Sequence, residues 1–175
     1  LQVICAVLIT GEEVTISNIP EILDVNMLIG MMSDLGVDVK RVSPDTYTFR
    51  AADVLTDKIY DPDFLKKAMM LRGSVMLAGP LLARFRRSAI PRPGGDKIGR
   101  RRMDTHIIGL QKLGATVDYE QCHGCYRLTA EKITGADILL DEPSVTGTAN
   151  LVMAAVLAEG VTTIYNAACE PYIQQ

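Results

Sequence analysis

Eight cationic side chains, Arg84, Arg86, Arg87, Arg92, Lys97, Arg100, Arg101 and Arg102, fall within nineteen consecutive residues of a chain that holds 18 lysines and arginines in all. One acid, Asp96, interrupts them directly after the pair Gly94-Gly95. The window carries about +7 and leaves about −10 on the rest of a protein whose formal net charge is −3. Adjacent glycines remove side-chain bulk, so a backbone can approach an oxyanion closely, and guanidinium forks donate in pairs to phosphate or carboxylate. Pro91 and Pro93 stiffen the entry to such a loop. Ser144-Val145-Thr146-Gly147 carries small hydroxyl residues that suit the N-cap of a helix. On these properties alone the basic segment fits a nucleotide phosphate, a nucleic acid or solvent, and the Ser144 segment fits a plain helix cap.

Nucleic acid is disfavoured. Phe85 is the one aromatic beside the cations, and the acidic remainder would repel a long polyanion. Cys5, Cys122, Cys125 and Cys169 have no disulfide-like spacing, which suggests free thiols in a cytoplasmic protein. Cys122-His123-Gly124-Cys125 has the spacing of half a metal knuckle, but His106 is the only other histidine, so a hairpin turn at His123-Gly124 is expected and no metal. No cofactor motif stands out. The apolar start LQVICAVLI lacks a basic lead-in and is too short to span a bilayer, so neither a signal peptide nor an anchor is expected. A length of 175 residues with 48% hydrophobic content suits one domain with a real core.

The elements that must position these groups follow from an internal repeat. Asp24 to Val39, followed by Tyr47 to Phe49, is echoed by Asp104 to Val117 and Tyr126 to Leu128, and Ala6 to Asn18 is echoed by Ala155 to Asn166. The two offsets stand close to one unit and two, implying three copies of one module of helix, strand, helix and strand pair. Met27, Leu28, Met31, Met32 and Leu35 form one helical face ending at a Gly36 cap. Paired strands are expected at residues 37–40 and 46–50 around Ser43-Pro44-Asp45, helices at 71–85 and 147–158, and a long loop from Arg86 to Arg102.

Four separated segments carry a resemblance: LRGSVMLAGPLLARF (Leu71 to Phe85), PGGDKIGRRRMDTH (Pro93 to His106), SVTGTAN (Ser144 to Asn150) and LAEGVTTIYNAACEP (Leu157 to Pro171). Together, and in this order, they resemble the UDP-N-acetylglucosamine 1-carboxyvinyltransferases, enolpyruvyl transferases of peptidoglycan precursor synthesis. The resemblance implies an α/β (α+β) fold: an inside-out α/β barrel of repeated βαβαββ-type units, here incomplete. It implies that residues 1–175 are one partial domain with a mobile active-site loop at about 86–102, and that a second domain of the same polypeptide is missing.

The implied reaction moves the enolpyruvyl group of phosphoenolpyruvate to the 3-hydroxyl of UDP-N-acetylglucosamine and releases phosphate, in the cytoplasm, without nucleic acid, membrane or cofactor. Arg72 and Arg101 match the phosphoenolpyruvate-binding arginines, Asp96 stands where the reactive loop Cys usually lies, and Arg102, Asp104, Thr105 and His106 match the uridine and diphosphate side. Ser144, Val145, Thr146 and Gly147 match the diphosphate-binding turn. Three departures accompany these matches. Asp96 replaces a thiol, which implies poor inactivation by the epoxide fosfomycin. Glu142 stands for a lysine and Arg102 for a proline. The family's Lys-Asn pair would lie before Leu1, so the chain alone is expected to be inactive. The different-class alternative is a non-catalytic anion- or nucleotide-binding module.

Overall fold

From its N-terminus the chain runs through a short helix α1 (Gln2–Ala6) and a 3-10 turn (Val7–Ile9) into strand β1 (Glu13–Ile16), helix α2 (Leu23–Asp34) and the hairpin β2 (Asp38–Ser43) and β3 (Thr46–Arg50). A 3-10 turn (Thr56–Tyr60), helix α3 (Pro62–Met70), another 3-10 turn (Arg72–Leu77) and helix α4 (Ala78–Phe85) lead into β4 (Arg87–Pro91). Then come α5 (Asp104–Lys112) and the hairpin β5 (Thr116–Glu120) and β6 (Cys125–Thr129). A third pass begins with β7 (Asp137–Leu139), α6 (Val145–Ala155), β8 (Thr163–Tyr165) and α7 (Pro171–Gln174). This computed structural model describes residues 1–92, 102–121 and 123–174.

The sequence repeat is a structural one. Two three-stranded antiparallel sheets have matching orders, β1-β3-β2 and β4-β6-β5, while β7 and β8 pair in parallel. At the centre of each three-stranded sheet stands a fully buried side chain, Phe49 between Val14 and Val39 and Leu128 between Ser88 and Val117. The helices before the hairpins also end alike. Gly36 (φ +85°) donates its N–H to Ser33 O at 2.9 Å and Val37 donates to Met32 O at 3.1 Å. Gly114 (φ +108°) donates to Gln111 O at 3.0 Å and Ala115 to Leu110 O at 3.0 Å. Both closures need left-handed backbone, and glycine supplies it without a Cβ clash. Asn18 after β1 and Asn166 after β8 share another left-handed position, with φ of 58° and 57°. Among the described residues the strands do not close into a barrel.

Three expectations from sequence need adjustment. The stretch 71–85 is not one helix: Arg72–Leu77 is a 3-10 turn that runs directly into α4. The helix expected at 147–158 starts earlier, capped by Ser144, and ends at Ala155. The long loop expected from Arg86 begins later, because Arg87–Pro91 pairs along β6 with register Ser88 opposite Leu128. Pro91 is tolerated at the end of that strand, where β4 is an edge.

The core gathers around α4, whose residues Ala78 to Ala83 are all buried. A helix apolar on every side must be surrounded, and α4 packs on α6 and on the 3-10 turn before β1. Arg84 at its end anchors the first unit: Nη1 lies 3.2, 2.8 and 2.7 Å from the carbonyl oxygens of Leu8, Thr10 and Ala51. The crossing of α4 and α6 is so close that a Cβ at Gly79 would stand 2.2 Å from the Asn150 carbonyl oxygen. Gly30, exposed on α2, has nothing within 4 Å of the same position. We expect Gly79→Ala to cost at least about 3 kcal/mol by forced overpacking, and Gly30→Ala to add about 0.5–1 kcal/mol. Urea unfolding of the two variants checks both values, and equal stabilities would contradict the close crossing.

Candidate functional site

A cleft of about 570 Å³ opens where the 3-10 turn Arg72–Leu77 meets the start of α6. Arg72, Arg102, Glu142, Ser144, Val145 and Thr146 are among the residues that line it. Ser144 sets the helix start: its backbone is extended (φ −81°, ψ 118°), its Oγ accepts the Gly147 N–H at 3.2 Å, and its carbonyl accepts the Thr148 N–H at 2.8 Å. The N–H groups of Val145 and Thr146, in the first turn, have no acceptor within the helix. Together with the helix dipole they make the cleft wall attractive to an anion.

Arg102 stands at the same wall, donating from Nε to Asp104 Oδ2 at 2.9 Å and from Nη2 to Asp141 Oδ2 at 3.0 Å. These groups are about half exposed, so the pairs add little stability, but two carboxylates fix the plane of the guanidinium. Asp104 in the first turn of α5 also suits the positive end of that helix.

Behind the wall lies a buried polar cluster. Asn150, fully buried in α6, accepts the Gly79 N–H on Oδ1 at 2.6 Å and donates from Nδ2 to Val75 O at 3.1 Å. The same Nδ2 lies 3.1 Å from His106 Nδ1, and His106 Nε2 lies 3.3 Å from Thr146 Oγ1. His106 is only 2% exposed. Burial lowers its pKa from 6.5 to about 4, with the Arg72 charge contributing in the same direction. The ring is therefore neutral near pH 7.

Of the residues expected from sequence, Arg72, Arg102, Ser144, Val145 and Thr146 meet at the cleft. Asp104 is exposed and holds Arg102, while Thr105, His106 and Gly147 are buried. A Cβ at Gly147 would stand 2.9 Å from Thr105 Cγ2, so Thr105 packs α5 against the start of α6. Asp96 and Arg101 lie outside the described residues. Part of the basic window is structural: Arg84 binds carbonyls, Arg86 donates to Ala83 O, and Arg87 pairs with Asp57 at 2.9 Å. Asn150 was missed by sequence reasoning, although a lone amide inside the apolar run of α6 was the available signal. Among the described residues no cluster of three His, Cys, Asp or Glu suits a metal. Burial pushes the Cys5 thiol up to about 12, so it is not a nucleophile.

The sequence profile of the EPSP synthase (3-phosphoshikimate 1-carboxyvinyltransferase) family matches residues 1–175. The chain belongs to the EPSP synthase family. Within that family it is 60% identical over 175 residues to the UDP-N-acetylglucosamine 1-carboxyvinyltransferase of Bacteroides fragilis and 44% identical over 174 residues to that of Borreliella burgdorferi. The alignments cover 100% and 99% of this chain but 40% and 39% of those relatives, so the chain spans about two fifths of their length. Among solved structures, the enolpyruvyl transferase NikO from Streptomyces tendae superposes with a TM-score of 0.79 at 18% identity, over 99% of this chain and 39% of that one. EPSP synthase from Acinetobacter baumannii gives 0.58 at 14% identity, over 93% and 38%. These two likenesses establish the fold of the EPSP synthase family for this chain. No helix among the described residues is long and apolar enough to cross a membrane.

Keeping His106 neutral has a cost at low pH. Between pH 6.5 and about 4 the unfolded chain takes up a proton on this residue and the folded chain does not, so stability falls as pH falls through that window. The shift corresponds to about 3 kcal/mol. Urea unfolding at pH 7 and pH 4.5 should show His106→Gln losing less stability on acidification than the parent protein. Equal losses would contradict a buried neutral imidazole.

Proposed function

We propose that this chain is part of an enzyme that transfers the enolpyruvyl group of phosphoenolpyruvate to the 3-hydroxyl of UDP-N-acetylglucosamine and releases phosphate, the first committed step of peptidoglycan precursor synthesis. The observation that carries the reading is the convergence of Arg72, Arg102 and the capped start of α6 on one cleft. Those groups come from three of the four segments that resemble the UDP-N-acetylglucosamine 1-carboxyvinyltransferases. Identity of 60% across the full chain supports it further.

In this reading the start of α6 and Arg102 receive the diphosphate, with Asp104 holding Arg102 in place. Arg72 and Arg101 bind the carboxylate and phosphate of phosphoenolpyruvate and stabilise the charge that builds as the sugar hydroxyl adds. Asp96 delivers the proton that the methylene carbon must gain. Cationic neighbours favour its ionised form, and bound substrate phosphates reverse that balance by neutralising the arginines and excluding water. The segment containing Asp96 and Arg101 acts as a loop closing on a second domain of the same polypeptide, and the reaction runs in the cytoplasm with no cofactor.

Phosphate release by the complete polypeptide, supplied with both substrates, tests the reading. Arg72→Ala should lower kcat/KM at least about a hundredfold, because a charge-assisted contact made in the transition state is lost. A change of only a few-fold would remove Arg72 from the site. Fosfomycin should leave the enzyme active, since a carboxylate is a weak nucleophile toward an epoxide, and Asp96→Cys should become alkylated. Intact-mass measurement of the adduct decides this. Stoichiometric alkylation of the unsubstituted protein at Asp96 would contradict it.

A further inference from the structure

We propose that Asn150 is a positioning residue for the cleft: it fixes the tautomer of His106 and thereby turns the Thr146 hydroxyl into a hydrogen-bond donor aimed at a bound phosphate oxygen. The ligand half of this proposal rests on the nucleotide-sugar reading above. The tautomer half rests on geometry alone.

Two backbone groups beside Asn150 have roles that are not adjustable. The Gly79 N–H can only donate, so the Asn150 atom 2.6 Å from it is the amide oxygen. The Val75 carbonyl can only accept, so the Asn150 atom 3.1 Å from it is the amide nitrogen. The amide is thus held in one orientation, with its second N–H hydrogen available to His106 Nδ1 at 3.1 Å. An amide nitrogen does not accept hydrogen bonds, so His106 Nδ1 must present its lone pair. A neutral imidazole with a lone pair on Nδ1 carries its hydrogen on Nε2. That hydrogen points to Thr146 Oγ1, 3.3 Å away.

Thr146 Oγ1 then accepts from the ring, and its own hydrogen is left for another partner. Thr146 lines the cleft in the first turn of α6, beside backbone N–H groups that have no helical acceptor. The relay delivers one more donor to the place where the helix start already favours an anion. With the opposite tautomer Thr146 would have to donate to Nε2, and its oxygen would face the anion with lone pairs only. A protonated ring would place an Nδ1–H against the Asn150 N–H, and its charge would be repelled by Arg72, which acts on His106. The buried amide therefore selects the tautomer, while burial and the Arg72 charge keep the ring neutral.

Nitrogen-15 NMR of histidine-labelled complete polypeptide, with His106 assigned by loss of its signal in His106→Gln, reads the tautomer directly. We expect the neutral Nε2–H form at pH 7 without ligand. The Nδ1–H form, or an even mixture, would overturn the proposal. Asn150→Asp replaces the donor by an acceptor and should move the hydrogen to Nδ1 or charge the ring; an unchanged tautomer would overturn the role of Asn150. If that variant does not fold, the parent spectrum still decides the tautomer. For the second half, Thr146→Val should weaken UDP-N-acetylglucosamine binding by about tenfold or more, measured by calorimetry, and Thr146→Ser should restore it. Equal affinity in Thr146→Val would overturn the donor role. Failure of the parent protein to bind UDP-N-acetylglucosamine would overturn the nucleotide-sugar reading and with it the anion role of Thr146, leaving the spectrum to judge Asn150.

Discussion

Asn150 of α6 ties its helix to three other elements through one side-chain amide. It accepts from α4 through the Gly79 N–H, donates to the preceding 3-10 turn through Val75 O, and meets α5 through His106. A primary amide in a dry interior is costly unless each of its polar atoms has a partner, so the arrangement holds only when the helices stand at one distance and rotation. Glycines make that distance possible. Gly79 admits the Asn150 backbone, Gly109 of α5 admits Leu151, which would stand 2.6 Å from a Cβ there, and Gly147 admits Thr105. Apolar packing alone would tolerate small shifts at these crossings, whereas fixed backbone donors and acceptors do not. The cleft inherits its geometry from this contact, because Arg72 enters the same 3-10 turn as Val75 and Thr146 precedes Asn150 by one helical turn.

Four cations of the basic window, among the described residues, fall into two groups. Arg84, Arg86 and Arg87 are spent on carbonyls and one carboxylate: Arg84 ties α4 to the carbonyls of Leu8, Thr10 and Ala51 in the first unit, Arg86 closes on Ala83 O of its own helix, and Arg87 pairs with Asp57. Arg102 belongs to the cleft, yet it too is flanked, by Asp104 and Asp141. A guanidinium held between carboxylates keeps a fixed direction while its net local charge is reduced. The attraction of the cleft for anions therefore draws also on the first N–H groups of α6, which have no acceptor within the helix.

The repeated parts of the fold were the legible parts. Leu35-Gly36 and Leu113-Gly114 recur because the same left-handed closure follows the same amphipathic face, so the sequence echo and the backbone echo have one cause. The hairpins were readable from their turn residues, and Ser144 from its hydroxyl ahead of an apolar run. What could not be read locally depended on distant partners. Arg87 to Pro91 pairs along β6, some forty residues away, and its flanking cations and prolines resemble a loop. Thr105 and His106 look like ligand-facing polar residues in a motif, but α5 turns them inward against α6. Asn150 closes the SVTGTAN segment, but its role could not be read there, since its partners are Gly79, Val75 and His106.

The cleft also shows how one copy of a repeated module opens a helix start that another copy encloses. Helices precede the corresponding edge strands in the second and third units, α4 before β4 and α6 before β8. In α4 the residue before the helix, Leu77, is already in helical conformation (φ −70°, ψ −21°), because the 3-10 turn Arg72–Leu77 runs straight into it. Its first N–H groups are thereby enclosed, and Gly79 gives its own to Asn150. In α6 the preceding residue is extended at Ser144, so the chain turns sharply and the first N–H groups open onto the cleft. The difference reduces to one backbone angle, ψ near −20° in one copy and near 120° in the other. A helix continued from a 3-10 turn becomes core, and a helix started from an extended, hydroxyl-bearing residue becomes a place for an anion.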